Sequence, residues 1–247
     1  MRANFIFGAF LLLFTAAAPG VSDDNLSPTA DAVVTKVLAK DAQRQTLIDG
    51  YRGMRRYVLE NDRMQKHAEM LVRVQCDADG TKHFEVVDEQ GWKAAQKHVL
   101  HKMLESEAEA SQPQIRLKTR LSPENYELRM AGRELLGGRM AYAINVIPRR
   151  HEERLFEGRS WIDAEDYALV RAEGKPARNP SFWTRSVHFV HTYRKSGLFW
   201  FPISTESVTE VRIFGSTNLT ITYFDYTPNQ LQSPNTASAA LQRGLTQ

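Results

Sequence analysis

The sequence predicts a mainly β protein of the α+β class, built on one large, curled antiparallel sheet. Runs of alternating apolar and polar residues fill most of the chain between Glu124 and Tyr226. Short turn sequences such as Asp79-Gly80 separate alternating runs, and only two segments have helical periodicity. A sheet of this size curls around its contents. We therefore expect the function to depend on the space inside the curl.

The first twenty residues have the pattern of a secretory signal peptide. Met1-Arg2 supplies a positive start, the stretch from Phe5 to Phe14 is almost entirely apolar, and small residues follow as far as Gly20. The apolar run is too short to span a membrane. We expect residues 1–20 to be removed by cleavage near Gly20, residues 21–28 to form a linker, and the mature protein to be soluble and exported.

Composition and charge are those of an ordinary globular domain, with 25% charged and 42% hydrophobic residues among 247. The formal net charge is +3, and the signal peptide carries one arginine and no acid. Such a weak charge does not indicate a nucleic-acid partner. Cys76 is the only cysteine, so no internal disulfide can form. Its place in an alternating run indicates a packed apolar side chain rather than a nucleophile.

An amphipathic helix is expected after the linker, over residues 29–48. Ser27-Pro28 and Thr29 provide a start, and apolar residues recur at helical spacing from Val33 onward, with basic residues between them. Gly50 and Gly53 should end the helix. The helix should bury a single apolar stripe against the sheet.

Three strands and a second helix should come next. Met54–Leu59, Gln65–Cys76 and Lys82–Val87 are the strand segments, the last two joined by the Asp-Gly turn. The spacing becomes helical from Trp92 to Ala110, so a second helix should lie across the sheet and end before Pro113.

The remaining strands form the predicted meander, in which Gly137-Gly138 marks a tight hairpin turn. Its domain should end at Tyr226, because residues 227–247 are rich in Pro, Asn, Gln and Ser and are expected to be a disordered tail. The alternating runs are Tyr126–Leu135, Arg139–Pro148, Arg154–Ile162, Tyr167–Ala172, Trp183–Arg194 and Leu198–Tyr226, of which the last should hold two strands.

Two helices are too few to fill the inside of so large a sheet, so we expect an apolar cavity. Arg52 and Arg55 are its charged candidates, because a guanidinium at the rim can hold a phosphate or an acyl carbonyl. The alternative is that these arginines keep a solvated strand edge from aggregating. The expected apolar ligand contacts are Met70, Val72, Val74, Tyr142, Ile144, Val146, Leu219, Ile221 and Tyr223.

No motif indicates catalysis or a metal ion. His98 and His101 lie on one helix but lack a third ligand, and His188 and His191 fall on opposite faces of a strand. The acidic run from Asp163 to Asp166 is interpreted as a turn between strands. We therefore expect a protein that is not an enzyme and has no cofactor. A hydrolase that uses these carboxylates is a competing hypothesis.

Three short motifs carry a family resemblance: Tyr51-Arg52-Gly53 after the first helix, the segment 159–169 (RSWIDAEDYAL), and Gly197–Pro202 (GLFWFP), which is followed by a closing strand from Leu219 to Tyr226. Together with the signal peptide and the curled sheet, they resemble the LolA/LolB-like superfamily of outer-membrane lipoprotein-sorting proteins, over residues 29–226. That group includes periplasmic lipoprotein carriers and RseB-like sensors. The resemblance implies an open half-barrel whose concave apolar face is covered by helices and receives acyl chains.

The function that follows is that of a monomeric periplasmic carrier. It would hold the acyl chains of a lipid or lipoprotein in its cavity, take part in outer-membrane lipoprotein sorting, and meet a protein partner in the inner or outer membrane. The alternative is an RseB-like periplasmic sensor that regulates a membrane signalling partner. A stable complex with the periplasmic domain of that partner would favour the sensor.

Overall fold

The computed structural model describes residues 28–213 and 215–230. The expected signal peptide, nearly all of the expected linker and most of the expected tail lie outside the described residues. Helix α1 spans Ala30–Gln45, and the Thr29 side chain caps it by accepting a hydrogen bond from the backbone N–H of Ala32 at 3.2 Å. The helix ends earlier than expected because Ile48 already belongs to the first strand.

Ten antiparallel strands form one sheet in the order β3-β2-β1-β10-β9-β8-β7-β6-β5-β4. The described sheet is not closed, since β3 and β4 are its two edges. The expected fold class, an open half-barrel with helices on its concave face, is confirmed. The strands are β1 Ile48–Asn61, β2 Lys66–Cys76, β3 Lys82–Gly91, β4 Tyr126–Leu136, β5 Arg139–Pro148, β6 Phe156–Asp163, β7 Leu169–Pro176, β8 Thr184–Ser196, β9 Phe199–Val211 and β10 Gly215–Gln230.

The connection from β3 to β4 has to cross the sheet, because these consecutive strands are its opposite edges. It carries α2 (Lys93–Ala95), a π-helical turn (Gln96–Leu100), α3 (His101–Ser111) and α4 (Pro113–Thr119). The first three make one helical segment, which confirms the expected second helix. Helix α4 is not predicted by the sequence pattern. Pro113 lies in its first turn, where a missing N–H costs nothing, so the same proline ends α3 and begins α4.

Two apolar clusters hold the helices against the concave face. Under α2, the π-helical turn and α3, the side chains of Ala95, Leu100 and Leu104 pack on β1, β2 and β10. Under α1, the stripe from Ala30 to Val37 packs on β4, β5 and β6. We call α1 and the segment from α2 to α3 the two helical covers. The α2–α3 cover packs on one side of the sheet and α1 on the other, so the middle strands lie between them.

Irregular registers help the sheet to curl. Strand pairs β1–β10, β2–β3, β4–β5, β6–β7 and β8–β9 each contain at least one shift in pairing, and such bulges bend and twist a strand. Strand β10 also extends beyond Tyr226. Thr227 and Pro228, expected in the tail, pair with Arg52 and Tyr51.

Candidate functional site

An open cleft of about 700 Å³ lies at the end of the sheet where β1 begins. Its walls are the second half of α1, part of α4, the turns that join β2 to β3 and β6 to β7, and the paired ends of β8 and β9. The two helical covers leave this part of the concave side open. Its volume falls within the range of 300–1,000 Å³ common for small-molecule sites.

The cleft floor is rich in aromatic side chains from β1, β8 and β9. The ring of Tyr51 meets that of Phe201 edge-on, with centroids 5.7 Å apart, and Phe199 lies 6.1 Å from Phe201. Behind them Tyr226 stacks on Phe201 at 4.5 Å. Aliphatic side chains complete the lining, among them Leu38, Ala42, Ile48, Leu117 and Leu169. The cleft therefore presents a mainly apolar surface.

The polar side chains of the lining differ in what they bind. Arg44 pairs with Asp41 at 3.0 Å and also donates to the backbone oxygen of Asp166. Arg116 donates to the backbone oxygen of Asp79 at 2.6 Å. The exposed side chain of Arg120 has no hydrogen bond or close ion pair among the described residues. Glu124 and Asp79 are near enough to interact electrostatically with Arg120 and Arg116, but no described carboxylate forms an ion pair with either arginine.

The ionisable groups of the cleft floor stay neutral near pH 7. Burial raises the pKa of the Tyr51 and Tyr193 hydroxyls, and burial also raises the pKa of the Cys76 thiol. The predicted interpretation of Cys76 as a packed side chain is confirmed, since it is buried in the wall of the cleft. A protonated thiol is a poor nucleophile.

A partly buried ion-pair network links strands β1 and β3 to α3 on the concave side. The Arg55 guanidinium binds both carboxylate oxygens of Glu107 on α3, at 2.7 and 3.1 Å, and Lys82 binds the same carboxylate at 2.7 Å. Arg55 also packs against the rings of Phe84 and Tyr223. Burial alone would raise the pKa of Glu107, but Lys82 and Arg55 outweigh it and lower this pKa to about 2. The network fixes α3 to β1 and β3.

The acidic run at the β6–β7 connection is a structural junction. Asp163 accepts hydrogen bonds from the backbone N–H groups of Glu165 and Asp166, which confirms the predicted turn. Both Asp163 oxygens also accept from Arg139, at 2.5 and 2.9 Å. Asp166 accepts from the indole N–H of Trp200, at 3.1 Å. These contacts hold the turn beside the cleft wall.

Except for Arg52, the predicted ligand contacts face the concave side, mostly beneath the helices. Arg55 is 2% exposed and engaged with Glu107, whereas Arg52 is exposed, between the inward residues Tyr51 and Gly53. Tyr223 lies in the middle, where its hydroxyl group and that of Thr205 share a hydrogen bond. None of the predicted contacts lines the open cleft. Met70, Val72, Val74, Leu219 and Ile221 are buried in the cluster under α3, and Tyr142, Ile144 and Val146 in the cluster under α1.

The cleft itself is formed by residues that the sequence pattern does not single out as a site. Most come from strand ends, turns and the last two turns of α1. One signal was available: the run Leu198-Phe199-Trp200-Phe201 is apolar without alternation. A solvated hairpin end does not need such a run, so it could have pointed to the cleft floor.

Solved structures with a similar fold come from several bacteria. A DUF1329 family protein from Desulfovibrio piger matches with a TM-score of 0.45 and 9% identity, covering 84% of this chain and 96% of its own. A putative outer membrane lipoprotein-sorting protein domain from Vibrio parahaemolyticus matches with a TM-score of 0.43 and 9% identity, covering 85% and 96%.

A LolA superfamily protein from Nitrosomonas europaea matches with a TM-score of 0.37 and 10% identity, covering 85% of this chain and 97% of its own. The superfamily named there is the one that the sequence motifs resemble. No protein-family model and no curated protein matches the chain.

Proposed function

We propose that this protein binds the acyl chain of a lipid or lipoprotein in the open cleft and carries it within the cell envelope, without catalysing a reaction. The observation that carries the proposal is the cleft of about 700 Å³, with an aromatic and aliphatic lining beside uncovered positive charge. Burying a methylene group is worth about 0.8 kcal/mol. An acyl chain along this lining would gain enough to offset the cost of ordering it.

The charge at the cleft favours a ligand with an acidic or carbonyl-bearing end. Arg120 can bind such a group, because its side chain is exposed, lines the cleft, and forms no hydrogen bond or ion pair with a described residue; its interaction with Glu124 is electrostatic only. A guanidinium binds carboxylate or phosphate in a bidentate manner. In the proposed complex the acyl chain lies over Tyr51 and Phe201, and its polar end meets Arg120.

The same proposal extends to the predicted ligand contacts that lie under the helices. Ile144 and Val146 are fully buried under α1, and Met70 under the π-helical turn and α3. A ligand reaches them only if a helix moves aside and gives up its own apolar contacts. The open cleft is therefore the entrance, and displacement of a helix would extend it.

The finer proposal, periplasmic carriage in outer-membrane lipoprotein sorting, is supported by the first twenty residues and by the sequence motifs. A signal peptide would place the protein where lipoproteins are sorted. Mass spectrometry of the protein purified from its own periplasm, under non-denaturing conditions, should show a co-purifying lipid or lipopeptide. Protein that carries no such ligand would speak against this finer proposal.

A steric test uses two alanines of the same helix. Ala42 and Ala39 are both exposed on α1, but only Ala42 lines the cleft. We expect Ala42→Trp to weaken binding of a fluorescent fatty acid at least tenfold, because the indole occupies the space of several methylene groups. Ala39→Trp is the matched control and should bind like the wild type. Equal affinities for all three proteins would contradict binding in the cleft.

A further inference from the structure

An exposed patch of aromatic and basic side chains lies at the end of the sheet opposite the cleft. Three loops form it, and they follow β1, β7 and β9. The cleft is lined by the turns that follow β2 and β6 and by strand residues next to the turn that follows β8. In an antiparallel sheet these two sets of connections lie at opposite ends of the strands.

The three loops contact one another. The backbone N–H of Arg212 donates to the carbonyl oxygen of Trp183 at 2.9 Å, and the Arg212 guanidinium lies over the Phe182 ring at 5.1 Å. The Arg63 side chain of the β1–β2 loop lies against Gly215, since a Cβ built on this glycine would come within 3.2 Å of it. This contact joins the β1–β2 loop to the other two loops. We call Arg63, Phe182, Trp183, Arg212 and Ile213 the three-loop patch.

The apolar members of the patch are exposed to an unusual degree. Phe182 is 77% exposed, Ile213 54% and Trp183 53%. Phe182 and Trp183 stack edge to face at 5.6 Å, so the two rings form a single projecting unit. Exposure of this much aromatic surface costs free energy, and it indicates a binding surface.

The charge around these rings is positive. The stretches 62–66, 178–186 and 209–216 contain five basic and two acidic residues. Arg63, Lys66, Arg185 and Arg212 are exposed and form no ion pair with another described residue. The Arg212 guanidinium lies over the Phe182 ring, and the other exposed cations belong to the same three stretches of chain. Aromatic rings at headgroup depth with basic residues beside them are typical of a protein on an anionic lipid surface.

We propose that the three-loop patch docks the protein on the surface of an anionic lipid bilayer. Phe182, Trp183 and Ile213 enter the headgroup region, while Arg63 and Arg212 of the patch, together with Arg185 at the start of β8, bind lipid phosphates. The cleft then opens at the end directed away from that bilayer, where it can exchange its contents with a second component. This inference does not depend on what the cleft binds.

The test is flotation of the mature chain, residues 21–247, with vesicles. We expect binding to vesicles that contain phosphatidylglycerol, little binding to phosphatidylcholine alone, and loss of binding at high salt. Phe182→Ser with Trp183→Ser should weaken binding at least tenfold, and Arg63→Gln with Arg185→Gln about tenfold. Leu135→Ser, at an exposed position near the opposite end of the strands, is the control and should bind like the wild type.

A spectroscopic readout locates the contact. Vesicles should shift the tryptophan emission of the wild type to shorter wavelength, and Trp183→Phe should abolish that shift while vesicle binding remains. Wild-type binding by the Phe182→Ser, Trp183→Ser protein would overturn the proposal. Binding that is equal on both vesicle types would also overturn it. The proposal would also be overturned if the protein did not bind vesicles and the two rings instead mediated self-association or binding to another protein.

Discussion

Arg55 and Glu107 show how a charged pair is retained inside a largely apolar curl. The Arg55 guanidinium is almost fully buried, and Glu107 keeps 35% exposure. A buried cation needs a partner, because desolvation without compensation costs several kcal/mol. Glu107 provides that partner from α3, and Lys82 adds a second cation from β3. The pair therefore fixes where α3 lies on the sheet.

We expect Glu107→Gln to destabilise the protein by about 2 kcal/mol. Removal of one partner of a buried pair costs about 3–5 kcal/mol, and the partial exposure of Glu107 reduces that cost. Urea unfolding measures the change. Glu105→Gln is the control, since Glu105 is exposed on the same helix and pairs with Lys102 on the surface; its cost should stay below about 0.5 kcal/mol. Equal effects of the two variants would contradict the role of the network.

The network also predicts a stability that depends on pH. The pKa of Glu107 falls from 4.5 to about 2 in the folded protein, so folding favours the charged carboxylate. Its contribution is complete above pH 4.5 and is lost as the pH falls towards 2. The stability difference between the wild type and Glu107→Gln should therefore shrink from near pH 7 to about pH 3. A difference that does not change over this range would contradict the assignment.

The β6–β7 pair shows, at the scale of an element, how closely two strands approach. Gly158 lies opposite Gly174 in the register. A Cβ on Gly158 would lie 2.0 Å from the backbone oxygen of Glu173, and one on Gly174 would lie 2.2 Å from that of Glu157. Only glycine at both positions permits this approach, which lies at the end of β6 away from the Asp163 junction.

We expect Gly158→Ala to destabilise the protein by about 3 kcal/mol, because the methyl group meets backbone atoms that cannot move aside independently. Ser160→Ala, two residues along the same strand, should be neutral or slightly stabilising, since the buried Ser160 hydroxyl has no hydrogen-bond partner among the described residues. Thermal unfolding measures both. A stable Gly158→Ala protein would mean that the strands are further apart than described.

Elements were predictable from the sequence where the signal is local. Alternation and turn residues gave the hairpins of the meander, and β5 has the expected bounds, Arg139–Pro148. Helix α4 was not predictable in the same way, because its seven residues, Pro113–Thr119, are too few to establish a period and none is buried. Its position follows from the crossing between the edge strands β3 and β4.

At the scale of the whole molecule, the pairing of β1 with β10 determines the architecture. This pair joins the first strand to the last, so the meander and the N-terminal hairpins become one sheet. Pairing between such distant segments leaves no local trace in the sequence. Alternation could therefore indicate which residues face the concave side, as for Ile144 and Met70. It could not show that helices cover these residues and leave a cleft at the strand ends.

The most direct test of the central claim is a calorimetric titration with fatty acids of increasing chain length. If the cleft holds an acyl chain, each added methylene group should strengthen binding about fourfold until the lining is filled. With Ala42→Trp the gain should stop at a shorter chain, and with Ala39→Trp it should match the wild type. Affinity that does not depend on chain length, or a series for Ala42→Trp that matches the wild type, would contradict the claim.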